Sequence, residues 1–154
     1  MALKVDDKGV IVPCPNCAKA NRIAFDKLDA TARCAQCKAD LPAVATPVEV
    51  TSATQFDALV AHASVPVLID FWAPWCGPCR AVAPEVEKVA TALRGRMIAA
   101  KVNTDQLPEL ADRFSVRSIP TLAVFSGGQV VDRVAGALPA ASIVQLVEKA
   151  YQRL

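Results

Sequence analysis

The sequence predicts an α/β domain preceded by a small segment that relies on metal rather than on a large apolar core. Three observations lead there. From Val48 to the end of the chain, apolar runs of strand length alternate with stretches of helical periodicity. Before it, residues 1–41 hold few large apolar side chains; Ile11, Val12, Ile23, Phe25, Leu28 and Leu41 are nearly all of them. The six cysteines fall into three Cys-x-x-Cys pairs, Cys14/Cys17, Cys34/Cys37 and Cys76/Cys79. The first two pairs lie close together and the third stands apart.

The totals narrow the possibilities. A chain of 154 residues forms one domain, or one domain with a satellite. With 53% hydrophobic and 21% charged residues it folds rather than staying disordered. The net charge of +2 comes from scattered Lys and Arg, with no basic stripe for nucleic acid. No apolar run approaches the ~18 residues of a membrane span, and Asp6 and Asp7 stand where a signal peptide would be apolar. The expectation is a cytoplasmic monomer. In a reducing compartment, paired cysteines are read as metal ligands or redox catalysts before structural bridges.

Segments of about 40 residues rarely fold on burial alone. Residues 1–45 are therefore taken as a metal-stabilised domain and linker, with the two prolines of Pro42–Pro47 marking the joint. Residues 46–154 form the α/β domain. Phe56, Leu59, Val60 and Ala63 share one helical face, with Thr51 or Ser52 as cap. Val65–Phe71 reads as a strand covered on both faces. The long helix after Cys76 turns Val82, Val86, Val89 and Leu93 inward and should kink at Pro84. Met97–Val102 is a second buried strand, followed by a short helix with Leu107, Leu110, Ala111 and Phe114. Thr121–Phe125 and Gln129–Val134 flank Gly127-Gly128, a hairpin signal. A last helix carries Ile143, Leu146, Val147 and Ala150 inward. The order is β-α-β-α-β-α-β-β-α.

The third cysteine pair has the setting of a reactive centre. Cys76 follows a buried strand and opens a helix, with Pro78 in the first turn, where its missing N–H costs little. Unpaired N–H groups and the dipole at that end favour thiolate, the attacking species in disulfide exchange. Cys79 lies one turn deeper. Cys76 is thus the expected nucleophile and Cys79 the resolving thiol. Asp70 interrupts the apolar run Val67–Trp72, and Lys101 interrupts Ile98–Val102. A buried carboxyl has a raised pKa and can exchange a proton near neutral pH, which the deeper thiol needs before it attacks. Pro120 at the start of a strand is a place for a cis peptide. Trp72 and Trp75 offer flat apolar surface beside the sulfurs, and His62 reads as a surface residue on the first helix. Cys76 and Cys79 as half of a metal site, or as inert core thiols, is the alternative; a strand-end lysine that snorkels is the alternative for Lys101.

These residues carry a resemblance. Asp70-Phe71-Trp72-Ala73-Pro74-Trp75-Cys76-Gly77-Pro78-Cys79-Arg80 resembles the active-site segment of the thioredoxin family, and Ser118-Ile119-Pro120-Thr121 its proline loop. The likeness extends over residues 48–154 and includes Pro84, Gly127-Gly128 and Gly136. It implies a thioredoxin fold, a central mixed five-stranded sheet in the order 1-3-2-4-5 flanked by four helices, with the last two strands antiparallel to the rest. It implies a protein-disulfide reductase in which Asp70 relays a proton to Cys79, with Lys101 near. Client chains would pair with the backbone before Pro120, against a surface of Trp75, Gly77, Pro78, Ile119 and Gly136. An attacking-thiol pKa of roughly 7 and a potential near about −270 mV would make it a reductant, itself reduced by thioredoxin reductase and NADPH. No organic cofactor is implied.

Cys14-Pro15-Asn16-Cys17 and Cys34-Ala35-Gln36-Cys37 are separated by sixteen residues, the spacing of a four-thiolate zinc ribbon. Four thiolates close a tetrahedron, leaving no open position for substrate, so one structural Zn²⁺ per chain is expected. Iron in the same ligand set and a pair of disulfides are the alternatives. Ala18 and Lys38 stand where such knuckles often have glycine. A ribbon in front of this domain, with Asn21-Arg22-Ile23 between its pairs, resembles the zinc-binding bacterial thioredoxin 2 type. An oxidase or isomerase is a competing function; Gly77-Pro78 and the lack of an export signal argue against it. A ribbon that docks clients or senses oxidation is a third, compatible with reduction.

Overall fold

A computed structural model describes residues 2–152; the expected outer limits Met1 and Leu154 lie outside them. The N-terminal segment builds β1 (Leu3–Val5), β2 (Gly9–Pro13), β3 (Ala20–Ala24), a 3-10 turn at Phe25–Lys27, and a short hairpin of β4 (Ala32–Arg33) and β5 (Asp40–Leu41). Then follow β6 (Val48–Val50), α1 (Ala53–His62), β7 (Val67–Trp72), α2 (Gly77–Ala92), β8 (Ile98–Asn103), α3 (Pro108–Arg113), β9 (Thr121–Ser126), β10 (Gln129–Ala135) and α4 (Ala140–Tyr151).

The element order of the second half is the expected one. Pairing begins at Val67 rather than Val65 because Pro66 has no N–H to give; its carbonyl still accepts from Ile98 N–H at 3.0 Å. Ser52 is the α1 cap, its Oγ accepting from Gln55 N–H at 3.1 Å, while Thr51 N–H donates back to Gln55 Oε1 at 2.9 Å. The α2 helix continues through Pro84 to Ala92. Gly127 and Gly128 have φ of 58° and 81°, the pair of positive values that a tight hairpin turn requires.

One sheet of eight strands runs β10-β9-β7-β8-β6-β1-β2-β3. Within it β6-β8-β7-β9-β10 is the expected 1-3-2-4-5 order. The expected strand directions need one correction. β9 runs antiparallel to β7, but β10 is antiparallel to β9 and so points the same way as β7. Among these five strands only β9 opposes the parallel set, because the tight Gly127-Gly128 turn reverses the chain once more.

The N-terminal segment extends this sheet. β1 pairs in parallel with β6, Leu3 opposite Val48, so β6 is not an edge. The stretch at Pro42–Pro47 is anchored: Thr91 Oγ1 donates to Ala45 O at 3.0 Å, and Leu3 N–H to Pro47 O at 2.9 Å. Alternation along β2 buries Val10 and Val12 and leaves Ile11 half-exposed on the other face, so Val10, not Ile11, is the core residue there. These side chains join Ile23, Phe25, Leu28 and Leu41 in the same apolar cluster as Val48, Phe56, Leu59 and Phe71. A second cluster, on the opposite face of β7, sets Leu68 against Val82 and Val86 of α2 and Ile143 and Val147 of α4.

The segment is therefore packed as part of the main core. Phe25, with Ser64 N–H donating to its carbonyl at 2.9 Å, is the hinge of that contact. Phe25→Ala should lower stability by about 3–5 kcal/mol, and tryptophan fluorescence at Trp72 and Trp75 should report the loss in a single denaturant transition. A tryptophan-detected midpoint unchanged by the substitution would mean that the two halves unfold separately.

Candidate functional site

The site forms where β7 ends and α2 begins. Cys76 is the N-cap of α2, and its Sγ accepts from Cys79 N–H at 3.1 Å, so an unpaired helix-end donor is aimed at the sulfur. Pro78 occupies the first turn. Cys76 and Cys79 are joined in a disulfide, with their Cα atoms 5.3 Å apart. Both are buried. Cys79 shares the inward face of α2 with Val82 and Val86.

Asp70 lies on β7, two residues before its end. Alternation along β7 places it with Leu68 and Trp72 on the face that α2 covers. It is 1% exposed, and neither carboxylate oxygen has a hydrogen-bond partner among the described residues. Burial pushes its pKa from 3.8 up to about 6, against the opposing pull of the Lys101 charge. Lys101 stands directly opposite Asp70 in the β7–β8 register. Its ammonium sits 4.5 Å from the centre of the Trp72 ring, and no ion pair forms between the two. Lys101 thus acts on Asp70 through its field.

The Ile119–Pro120 peptide is cis, and the Ile119 carbonyl oxygen lies 3.7 Å from Cys76 Sγ. Pro120 O accepts from Gly136 N–H at 2.8 Å, whereas Ile119 N–H has no partner among the described residues. Gly77 and Gly136 each face open space where a side chain would begin. Trp75 is 69% exposed, and its indole N–H donates to Asp105 at 3.1 and 3.3 Å. These groups border the disulfide on one side. Asp105 was not legible in the sequence, because nothing in its spacing links it to Trp75. His62 is exposed, as expected.

The other four cysteines converge. Cys14, Cys17, Cys34 and Cys37 bring their sulfurs within 4.8 Å of one another, with Cys14–Cys37 and Cys17–Cys34 at 3.6 Å. Zinc–thiolate bonds of about 2.3 Å put tetrahedral sulfurs roughly 3.8 Å apart, so the cage fits a tetrahedral metal. The two knuckles match. Ala18 N–H donates to Cys14 O and Lys38 N–H to Cys34 O, while Asn16 and Gln36 N–H each point at a sulfur at 3.4 Å. Ala18 and Lys38 both take φ of 67°, so these residues adopt the left-handed turn without glycine.

Electrostatics make the same point. The backbone N–H of Cys37, followed by the Asn21 and Gln36 contacts, pulls the Cys34 thiol down to about 6 against burial. The Asn16 amide, 3.4 Å from its sulfur, lowers Cys37. Cys17 rises to about 11: the Lys19 N–H lowers it, but burial and three neighbouring sulfurs outweigh that. Four thiolates cannot share this volume unless a cation joins them. Asn21, buried in β3, ties the knuckles together; Nδ2 donates to Lys19 O at 2.9 Å, and Oδ1 accepts from Ala35 N–H at 3.0 Å.

Comparison with known proteins covers both parts. The family described as Thioredoxin matches residues 47–149, and the one described as Thioredoxin 2, N-terminal, a zinc ribbon, matches residues 13–39. Thioredoxin 1 of Nostoc sp. is 52% identical over 101 residues, spanning 66% of this chain and 94% of that protein. The chloroplastic M-type thioredoxin of Chlamydomonas reinhardtii is 50% identical over 61% of this chain and 67% of its own length. Among solved structures, a mutant thioredoxin from Halobacterium salinarum superimposes with a TM-score of 0.64 at 33% identity, covering 70% of this chain and 92% of that one.

The raised pKa of Asp70 has a sign that can be tested. A carboxyl that holds its proton more tightly when folded adds stability below about pH 4 and loses that contribution as pH rises through about 6. Asp70→Asn removes the buried charge, so it should stabilise the oxidised protein by about 2–3 kcal/mol at pH 7.5, and by much less at pH 4. Chemical denaturation at the two pH values measures the difference.

Proposed function

The chain belongs to the thioredoxin family and is a thiol–disulfide oxidoreductase, and from that premise we propose that it works as a reductant of protein disulfides through Cys76 and Cys79. The observation that carries the proposal is the disulfide at the start of α2, with Cys79 N–H aimed at Cys76 Sγ and Asp70 buried on the β7 face that α2 covers. In the reduced form the Cys76 thiolate attacks one sulfur of a client disulfide. A Cys76–client bond forms, and the client's other sulfur leaves as thiolate. Cys79, its proton taken up by Asp70, then attacks Cys76 Sγ and expels the second client thiolate. Two electrons pass from the dithiol to the client, and the protein is left with the Cys76–Cys79 disulfide.

Asp70 is the relay, with Lys101 setting its charge balance. The free N–H of Ile119 beside Pro120 pairs with the client backbone, and Trp75, Gly77, Pro78 and Gly136 form the surface the client lies against. Thioredoxin reductase, drawing on NADPH, restores the dithiol. The protein acts as a cytoplasmic monomer without organic cofactor. Residues 1–45 form the ribbon with its joint and residues 46–154 the catalytic domain. The ribbon's four cysteines hold one structural Zn²⁺ per chain, a choice that the closed four-sulfur cage supports because it leaves no position for substrate.

Cys76→Ser should abolish reduction of insulin disulfides, whereas Cys79→Ser should accumulate mixed disulfides visible on a non-reducing gel; full turnover by the Cys76→Ser protein contradicts the proposal. Metal analysis of the reduced wild-type chain should give one zinc with two readily titrated thiols. Because Asn21 links the two knuckles, Asn21→Ala should lower zinc affinity by about 10–100-fold in chelator competition. Equal retention would make the asparagine dispensable to the cage.

A further inference from the structure

A cavity of about 240 Å³ opens beside the disulfide, walled by Trp75 on one side and by Ala111, Val116 and Ile119 on another. Its position ties it to the chemistry, since the Ile119 carbonyl approaches Cys76 Sγ at 3.7 Å. Thr104 and Ser118 add two hydroxyls to this lining, and among the described residues Arg117 is the only ionisable one in it. The other arginines near this segment are engaged inside the molecule. Arg113 pairs with Asp57 at 2.6 Å, and the Arg133 guanidinium donates to the carbonyls of Phe114 and Ser115. The carboxylate of Asp105, at the Trp75 edge, accepts from the indole. Arg117 is exposed and has no hydrogen bond or ion pair among the described residues.

We propose that Arg117 selects clients by charge, favouring a disulfide whose cysteine is flanked by Asp or Glu. This rests on the reductase reading and names the substrate class of the same site. The chemistry is direct. A client strand that pairs with Ile119 N–H brings the residue next to its cysteine over this cavity, where the guanidinium is the only charged group in the lining. A carboxylate arriving there forms a pair with it, strengthened as the client and the Trp75 wall exclude water. An ammonium in the same place meets a like charge. The contact is at a rim, so its effect is modest and falls with salt.

The test uses three cyclic peptide disulfides, identical except for Glu, Gln or Lys beside the reactive cysteine. The second-order rate constant for oxidation of the fully reduced, metal-loaded chain is measured with each. Rates should fall in the order Glu, Gln, Lys, by about three-fold from first to second, with the spread closing at 1 M salt. Arg117→Gln should collapse the Glu-to-Gln ratio towards one, and Arg117→Glu should invert it. The ratio within each variant is the readout, so a general loss of activity cancels. Equal rates for the three peptides in the wild-type chain, or an order that survives in Arg117→Gln, would overturn the assignment to Arg117. Failure to reduce any of the three would overturn the reductase reading itself.

Discussion

A carboxylate sealed in an apolar layer, with no hydrogen-bond partner among the described residues, is the constraint around which this molecule is organised. Asp70 is fully buried on the middle of the β7 strand, between β8 and β9, and α2 closes over it. Keeping that group there costs about 2–3 kcal/mol at neutral pH, a large part of the net stability of a small domain. The rest of the fold has to hold the layer shut. It does so with two apolar clusters on the two faces of one sheet, and Asp70 sits on the face whose helix also carries Cys79. What costs stability also puts a titratable group on the face of β7 that the helix of Cys79 covers.

The N-terminal segment contributes to the same end. By pairing β1 with β6 it removes an edge that the catalytic sheet would otherwise expose, and by inserting Phe25 and Val10 it enlarges the cluster beneath α1. Its four-cysteine cage is small, yet Cys14 and Cys34 belong to that cluster. Opening of the four-sulfur cage would therefore disturb more than a surface loop. The joint with the α/β part meets the far end of α2, at Thr91, with the whole helix between it and Cys76.

Much of this was legible in the residues. Chemistry confined to a short stretch reads well: a thiol after a buried run, a proline in the first turn, two matched cysteine pairs. The charged interruption at Asp70 reads well too, because a carboxylate inside an apolar run has few bland explanations. What was not legible depends on partners far away in sequence. No local pattern in Leu3–Val5 says that it pairs with Val48–Val50, and three short strands beside a cysteine-rich loop carry too little periodicity to count as strands. Ile11 and Val10 are equally apolar, so only the register of β2 decides which one faces inward. Asp105 and Arg117 look like ordinary surface charges until the fold places them beside Trp75. In the sequence Asn21 is only part of a resembling tripeptide; its link to Ala35 exists only once both knuckles are folded.

The central claim is that burial, partly offset by Lys101, sets Asp70 up to trade a proton near neutral pH. Carbon-13 NMR of the side-chain carboxyl, followed through a pH titration of the oxidised protein, measures this at the atom concerned. The account predicts a midpoint near about 6. A midpoint at the ordinary 3.8 would contradict it, because the carboxylate would then be too weak a base to draw a proton from a thiol near neutral pH.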